Sequence, residues 1–289
     1  MRTKIYRTLV VSVLFSAAAL AQTQGGLLDV FVVKVRPEKR AEFDAVIKKM
    51  VDINRRHQGD TWLASEISWG EANTVYFSSL RQNHADLEKA YEAFMGAMTK
   101  AGGPALASKL MQEMNNCVIS ARGELRRLRP ELSRNAPSDQ EGIMRLVGQS
   151  RWLRTTLVRV RPGRFGDYQE QLQAMKEAAE RADSKTPVLV SQGAGGQQGT
   201  VFYITVPAGS LAAFDEPLTP LPKLLGEEGY RRYTAAAREA VLSSETFIHR
   251  YVPELSNPPQ AVVSAAPDFW RPKPPAAVAA ARTKAKHTE

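Results

Sequence analysis

The stretch VKVRP at residues 33–37 returns as VRVRP at residues 158–162. The register then continues without a gap to Met50 in the first copy and to Met175 in the second. Self-similarity of this kind indicates an internal duplication. This duplication determines the fold, and the other motifs are interpreted within it.

Two further matches extend the duplication along the chain. TVYF at residues 74–77 pairs with TVFY at 200–203, and RLRPELS at 127–133 pairs with RYVPELS at 250–256. The three matches keep one order and nearly one spacing. We therefore expect two homologous halves joined by a polar linker. The expected halves are residues 28–133 and 152–256, and the linker is residues 134–151.

The hydrophobic periodicity changes in the same order within each half. Leu28 to Arg36 and Arg154 to Arg161 are rich in β-branched residues, which predicts strands. A proline follows each strand where a helix can begin, and apolar residues then recur at helical spacing. Two strands, a long helical segment and a final strand complete each half. This β-α-β-β-α-β order predicts an α+β fold of two tandem ferredoxin-like units whose antiparallel sheets pack face to face.

The two V-x-V-R-P junctions, the repeated element order and the P-E-L-S ends resemble the dimeric α/β-barrel superfamily. Members of this superfamily pair two ferredoxin-like units through their sheets, either as dimers or as fused tandem repeats. The resemblance therefore implies an intrachain pseudo-dimer. The superfamily includes antibiotic-biosynthesis-type monooxygenases, haem-handling enzymes and lactone isomerases, so the resemblance alone does not select an activity.

Residues 1–21 have the pattern of a secretory signal peptide. Three basic residues precede the apolar run Leu9–Phe15, and small residues end in ALA at 19–21. The apolar segment is shorter than a membrane-spanning helix needs, although an uncleaved anchor is the alternative. We expect cleavage before Gln22 and a periplasmic or secreted protein without a transmembrane segment. A lipoprotein is not expected, because no cysteine lies at the cleavage point.

The other end of the chain, residues 257–289, is rich in proline, alanine and lysine, which predicts a disordered tail. The signal peptide and the tail each carry a net charge of +3, which leaves only +3 of the total +9 for the region between them. A nearly balanced, exported domain is not expected to bind nucleic acid.

Few residues carry a chemical signature. Cys117 is the only cysteine, and the four histidines lack metal-ligand spacing, so neither a disulfide nor a metal site is expected. His249 lies in a predicted strand, in register with Arg126 of the first half, and alternates with Phe247 and Tyr251. His249 could act as a base or a haem ligand if that face lines a pocket, or it could be a hydrogen-bonded structural histidine.

Two sets of residues are candidates for ligand binding. The first set comprises cations that alternate with valines on the first strand of each half: Lys34, Arg36, Arg159 and Arg161. They could bind a carboxylate or another anion, or they could extend into solvent and pair with acidic residues of the other half. The second set comprises aromatic residues near or on the strands: Trp62, Tyr76, Tyr203 and Tyr251. They could line an apolar pocket or form part of the core.

Two functional hypotheses follow from these observations. The first is an exported, non-catalytic module that binds a small apolar or anionic ligand, or a partner protein, and needs no cofactor. It rests on the lack of a recognisable catalytic motif. The alternative is a cofactor-light oxidoreductase of the monooxygenase type, in which an enclosed pocket activates the substrate. A haem-associated variant of that enzyme would rely on His249 or another histidine.

Overall fold

The computed structural model describes residues 26–215 and 220–272 of the 289-residue chain. The predicted signal peptide at residues 1–21 and the last part of the predicted tail, residues 273–289, lie outside the described residues. The strands are β1 (Leu27–Val35), β2 (Leu63–Trp69), β3 (Thr74–Arg81), β4 (Val118–Leu128), β5 (Trp152–Val160), β6 (Leu189–Gly195), β7 (Thr200–Ala208) and β8 (Val241–Tyr251). The α-helices are α1 (Arg40–Arg56), α2 (His84–Asn116), α3 (Gln140–Gln149), α4 (Phe165–Arg181), α5 (Leu221–Ala240), α6 (Gln260–Ala265) and α7 (Pro267–Trp270).

The eight strands form one closed antiparallel barrel. Their order is β1-β3-β2-β8-β5-β7-β6-β4, and β4 pairs with β1 to close the ring. The pairs β2–β8 and β4–β6 join the first four strands to the last four. Closure satisfies the backbone groups that would otherwise lie at open sheet edges. The predicted α+β class with antiparallel sheets is confirmed.

Side chains on each strand alternate between the barrel interior and the helices. On β1, Val30 and Val32 belong to an apolar cluster inside the barrel. Val33 and Val35 instead belong to the cluster that includes residues of α1 and α2. Because successive side chains of a strand point to opposite faces, a strand buried on both faces is apolar along most of its length.

Two helices cover each side of the barrel. Helices α1 and α2 pack together on one side, and α4 and α5 pack together on the other. A short 3-10 turn begins at Pro37, just before α1. Phe43, Ile47 and Met50 lie on the buried face of α1. Burying each such side chain contributes about 1.5–3 kcal/mol. Among the described residues, no helix combines the length and apolar character needed to cross a bilayer.

The predicted linker and the start of the predicted tail form a helical cap on one end of the barrel. Helix α3 lies in the linker, α6 and α7 lie in the tail, and α3 packs against α6. Trp270 is 1% exposed, donates from Nε1 to the carbonyl of Gly148 at 2.8 Å, and packs edge-on against Tyr251. The prediction of a disordered tail is therefore wrong for residues 257–272. The few large apolar residues of this proline- and alanine-rich segment are buried by distant parts of the chain. We call α3, α6 and α7 the end cap.

Candidate active site

A buried ion pair lies inside the barrel. Glu124 and Arg126 occupy alternate positions of β4, and their side chains are 1% and 8% exposed. Arg126 donates from Nε and Nη2 to Oε2 of Glu124, at 3.0 and 2.6 Å. The hydroxyl of Tyr203 donates to the same oxygen at 2.9 Å, and Nε of Arg122 donates to Oε1 at 2.9 Å. These donors compensate a carboxylate whose burial would otherwise be costly.

The electrostatics of this cluster keep Glu124 ionised. Burial alone would raise the pKa of Glu124, but Arg126, Tyr203 and Arg122 together outweigh burial and hold that pKa below its usual range. Burial raises the pKa of Tyr203, so its hydroxyl remains a proton donor. The guanidinium carbon of Arg126 also lies 3.5 Å from the ring centroid of Tyr203, in cation–π contact.

A cavity of about 310 Å³, which we call the barrel cavity, extends from this cluster to the end cap. Its polar lining consists mainly of Ser65, Ser78, Arg126, Thr155, Ser191, Thr205 and His249. Its apolar lining includes strand residues such as Leu28 and Leu153 and end-cap residues such as Ile143 and Val262. Arg126 uses Nε and Nη2 to bind Glu124, and no described residue accepts a hydrogen bond from its Nη1. A guanidinium donor in an apolar cavity is suited to bind an anionic oxygen, because little water competes with it.

His249 on β8 lines the same cavity and is 4% exposed. Its ring centroid lies 4.8 Å from that of Tyr76 and 4.7 Å from that of Phe247. Its Nδ1 lies 3.5 Å from Oγ of Ser65. Burial, and after it the positive charge of Arg126, lower the pKa of His249 from 6.5 to about 3. The imidazole is therefore neutral at physiological pH.

The neutral, buried state of His249 predicts an acid-sensitive fold. Its pKa is 6.5 unfolded and about 3 folded, so protons bind preferentially to the unfolded chain between these values. The stabilisation is complete above pH 6.5 and is lost as the pH falls toward 3. Between pH 7 and pH 5, the free energy of unfolding of the wild type should fall by on the order of 2 kcal/mol more than that of a His249→Gln variant. Urea unfolding at both pH values measures this difference. Equal losses in both proteins would contradict the neutral assignment.

The aromatic residues predicted from the sequence have different positions in the structure. Trp62, Tyr76 and Tyr251 line the barrel cavity. Tyr203 belongs to the ion cluster through its bond to Glu124. Trp62 also has a structural role, because its Nε1 donates to the carbonyl of Leu255 at 2.8 Å. The aromatic set thus contributes both to the cavity wall and to the core.

The four predicted cations lie away from the barrel cavity. Arg159 lines a wider opening of about 770 Å³ at the other mouth of the barrel, where Lys34 binds Glu71 at 2.9 Å. Arg36 and Arg161 are exposed just beyond the ends of their strands. These cations do not meet around His249.

Sequence reasoning did not identify Glu124 and Arg126 as site residues. A signal was present, because Arg122, Glu124 and Arg126 occupy every second position of β4 with alternating charge. Residues at this spacing share one face of a strand and can pair with each other. Whether that face is solvated or buried depends on closure of the barrel, which the strand itself does not reveal.

A second cavity of about 400 Å³ lies between α2 and strands β1 and β3, and its lining is predominantly apolar. Two of its charged residues, Asp60 and Arg81, bind each other through hydrogen bonds of 2.8 and 2.7 Å. Across the described part of the chain, no cluster of side chains suited to hold a metal ion was found. The barrel cavity combines a cationic donor with a neutral imidazole and is therefore the candidate active site.

No protein-family model and no curated protein matches this sequence. Several solved structures have a similar backbone. A candidate monooxygenase from Lactobacillus acidophilus has a TM-score of 0.47 and 10% identity, covering 79% of this chain and 94% of that chain. An anthrone oxidase-like protein has a TM-score of 0.48 and 15% identity, with coverages of 79% and 92%. A haem-binding protein from Thermus thermophilus has a TM-score of 0.44 and 13% identity, with coverages of 80% and 92%. Each of these proteins is similar to this chain in its backbone, at 10–15% sequence identity.

These neighbours correct two predictions made from the sequence. The chain was expected to be a non-catalytic binding module and to need no cofactor, whereas the structural neighbours include monooxygenase-type and haem-binding proteins. The names of these neighbours agree with neither expectation, and neither is retained. Both expectations rested on missing motifs, and a barrel gathers its functional groups from strands far apart in sequence, so its site leaves no local motif.

The residues of the barrel cavity do not fit a haem. The volume of about 310 Å³ lies at the low end of the range for small-molecule sites, about 300–1,000 Å³. The ring of His249 is flanked by Tyr76 and Phe247. Among the described lining residues, Arg126 is the only cation, and Glu124 already binds it, so two haem propionates would lack partners.

Proposed function

We propose that this protein is an oxidoreductase of the monooxygenase type, acting on an apolar molecule that carries an acidic hydroxyl or enol. The supporting observation is the barrel cavity, in which Arg126 and the neutral His249 lie among apolar walls. The apolar part of the substrate would pack against the end cap and the strand leucines. Its oxygen would bind Nη1 of Arg126.

Binding in this orientation favours ionisation of the substrate. A positive donor that is already held in place stabilises a developing oxyanion strongly in a water-poor cavity. The new anion also offsets the charge of Arg126, which is the second cause of the low pKa of His249. His249 can then hold the proton that the hydroxyl loses. The resulting electron-rich anion is the form of the substrate that reacts with O2.

Oxidation of an activated methylene group illustrates the balance of the reaction. One oxygen atom of O2 replaces the two hydrogens of the CH2 group as a carbonyl, and the other leaves with those hydrogens as water. The tricyclic ketone anthrone is a suitable probe, because its enol tautomer carries an aromatic hydroxyl and its methylene can be oxidised to the quinone.

O2 uptake with anthrone tests this proposal. We expect uptake and quinone absorbance to appear together in protein recovered from the exported fraction. The double variant Glu124→Gln/Arg126→Met should lower the rate about 10²–10³-fold, as expected for loss of one oxyanion donor. Arg232→Met, at a position 77% exposed on α5, is the matched control and should leave the rate unchanged. Equal rates in the double variant and the wild type would contradict the role of the cavity.

We also infer that the two runs of β-α-β-β-α-β are homologous ferredoxin-like halves. The matched stretches at residues 33–37 and 158–162, and the order of elements in each run, support this inference. Superposition of residues 28–133 on residues 152–256 is the test. Failure of the paired strands and helices to superpose would contradict the duplication.

The N-terminal pattern supports export of the protein. The basic residues, the apolar run and the ALA site at 19–21 are those of a cleaved signal peptide. The site would then work in the periplasm or outside the cell. The mass of the exported chain should correspond to a start at Gln22, and a full-length mass would contradict cleavage.

A further inference from the structure

A third cavity, about 170 Å³ in volume, lies between α4, α5 and the strands β6 and β7 that they cover. We call it the side cavity. Its polar lining is Arg134, Tyr168, Gln171, Lys176 and Tyr233, and its apolar lining is Leu132, Leu172, Met175, Val188, Val190 and Ile204. It shares no lining residue with the barrel cavity, so it is a separate site.

Two cations line the side cavity, Arg134 and Lys176, and Arg134 has no described counter-ion. No described acidic group lies within ion-pair distance of Arg134, and its Nε is buried without a hydrogen-bond partner. The nearby carboxylate of Glu131 binds Arg129, and the carbonyl of Glu131 accepts a hydrogen bond from Lys176 at 3.0 Å. Burial lowers the pKa of Arg134, as expected for a cation that is poorly solvated and unpaired. Arg134 is partly buried, and its guanidinium is therefore available to an anion that enters the cavity.

Two phenol groups line the same cavity as Arg134. Tyr168 is 6% exposed, and no described residue forms a hydrogen bond with its hydroxyl or with that of Tyr233. Burial raises the pKa of both tyrosines, so both hydroxyls remain protonated donors. Gln171 already donates from Nε2 to the carbonyl of Tyr233 at 3.1 Å. The side cavity therefore offers a guanidinium and two phenol donors, which together suit an anion.

The volume and the walls limit the size of that anion. An apolar cavity of about 150 Å³ is large enough to bind benzene. The side cavity is slightly larger and has aliphatic walls opposite its donors. A single aromatic ring or a short branched chain fits this space. One carboxylate on that ring or chain would bind the guanidinium and the phenol donors.

We propose that the side cavity is a binding site for a small aromatic or branched-chain carboxylate. The carboxylate binds Arg134 and the tyrosine hydroxyls, and the apolar body packs against the aliphatic wall. This site is independent of the proposed oxidation in the barrel cavity.

Calorimetric titration with benzoate tests the site. Wild-type protein should bind benzoate, and Arg134→Met should weaken binding at least about tenfold. Arg134→Met should fold normally, with a thermal midpoint at or above that of the wild type without ligand, because it removes a partly buried charge that has no described counter-ion. Benzyl alcohol, a neutral molecule of the same shape, should bind more weakly than benzoate.

A second variant separates this site from the barrel cavity, where Arg126 could also attract benzoate. Glu124→Gln/Arg126→Met should keep full benzoate affinity. Benzoate binding that survives Arg134→Met, or is lost in the barrel double variant, would overturn the proposal. So would an absence of benzoate binding to the wild type, or equal binding of benzyl alcohol.

Discussion

Arg126→Met is expected to destabilise the protein by about 3–5 kcal/mol, because it leaves the carboxylate of Glu124 buried without its main counter-ion. Glu124 is 1% exposed at its side chain and would retain only Arg122 and Tyr203 as donors. Its pKa should then rise, so the variant should be least stable at neutral and alkaline pH. Urea unfolding at pH 7 measures this effect.

The double variant Glu124→Gln/Arg126→Met is the control for that prediction. It removes both charges together, and the remaining amide can still accept hydrogen bonds. We expect it to recover most of the stability lost in Arg126→Met, while the oxidation activity stays low. A double variant as unstable as the single one would show that packing of Arg126, and not its charge, stabilises the barrel interior.

Trp270→Ala should have an effect of similar size, about 3–5 kcal/mol, for a different reason. The indole is 1% exposed and connects α7 to α3 through Gly148 and to β8 through Tyr251. Its loss creates a cavity and frees a buried carbonyl. The end cap should loosen with it, so amide hydrogen exchange should accelerate in α3 and α6 more than in the barrel strands.

Trp69→Ala is the matched control, because Trp69 is 54% exposed although it also packs against a tryptophan, Trp152. It should change stability by no more than about 1 kcal/mol. If the two tryptophan variants were equally stable, the end cap would not be anchored through Trp270.

The strands and main helices could be predicted from the sequence, because their signals are local. The V-x-V-R-P junctions mark a strand followed by a proline-initiated helix, and both junctions precede the helices observed as α1 and α4. Two copies of one element order also predicted eight strands, which the structure joins into one closed barrel and not into two separate sheets packed face to face. Periodicity of two or of about four residues requires no knowledge of distant contacts.

The end cap and the ion cluster could not be predicted in this way. The segment around Val262, Val263 and Trp270 has the proline- and alanine-rich composition of a disordered tail. Its apolar residues are buried only because they cover an open end of the barrel. From the sequence alone, Glu124 and Arg126 would be predicted to lie on the surface. They are buried because closure of the barrel places them inside. The strand position of His249 is evident in the sequence, but its neutral state depends on burial in the closed barrel and, after that, on the charge of Arg126 from the other half of the chain.

The most direct test of the proposed function is a crystal structure of the protein with bound anthraquinone, the oxidation product of anthrone. We predict that the quinone occupies the barrel cavity, with one oxygen on Nη1 of Arg126 and its rings against the end cap. Quinone found instead in the apolar cavity under α2, with the barrel cavity empty, would contradict it.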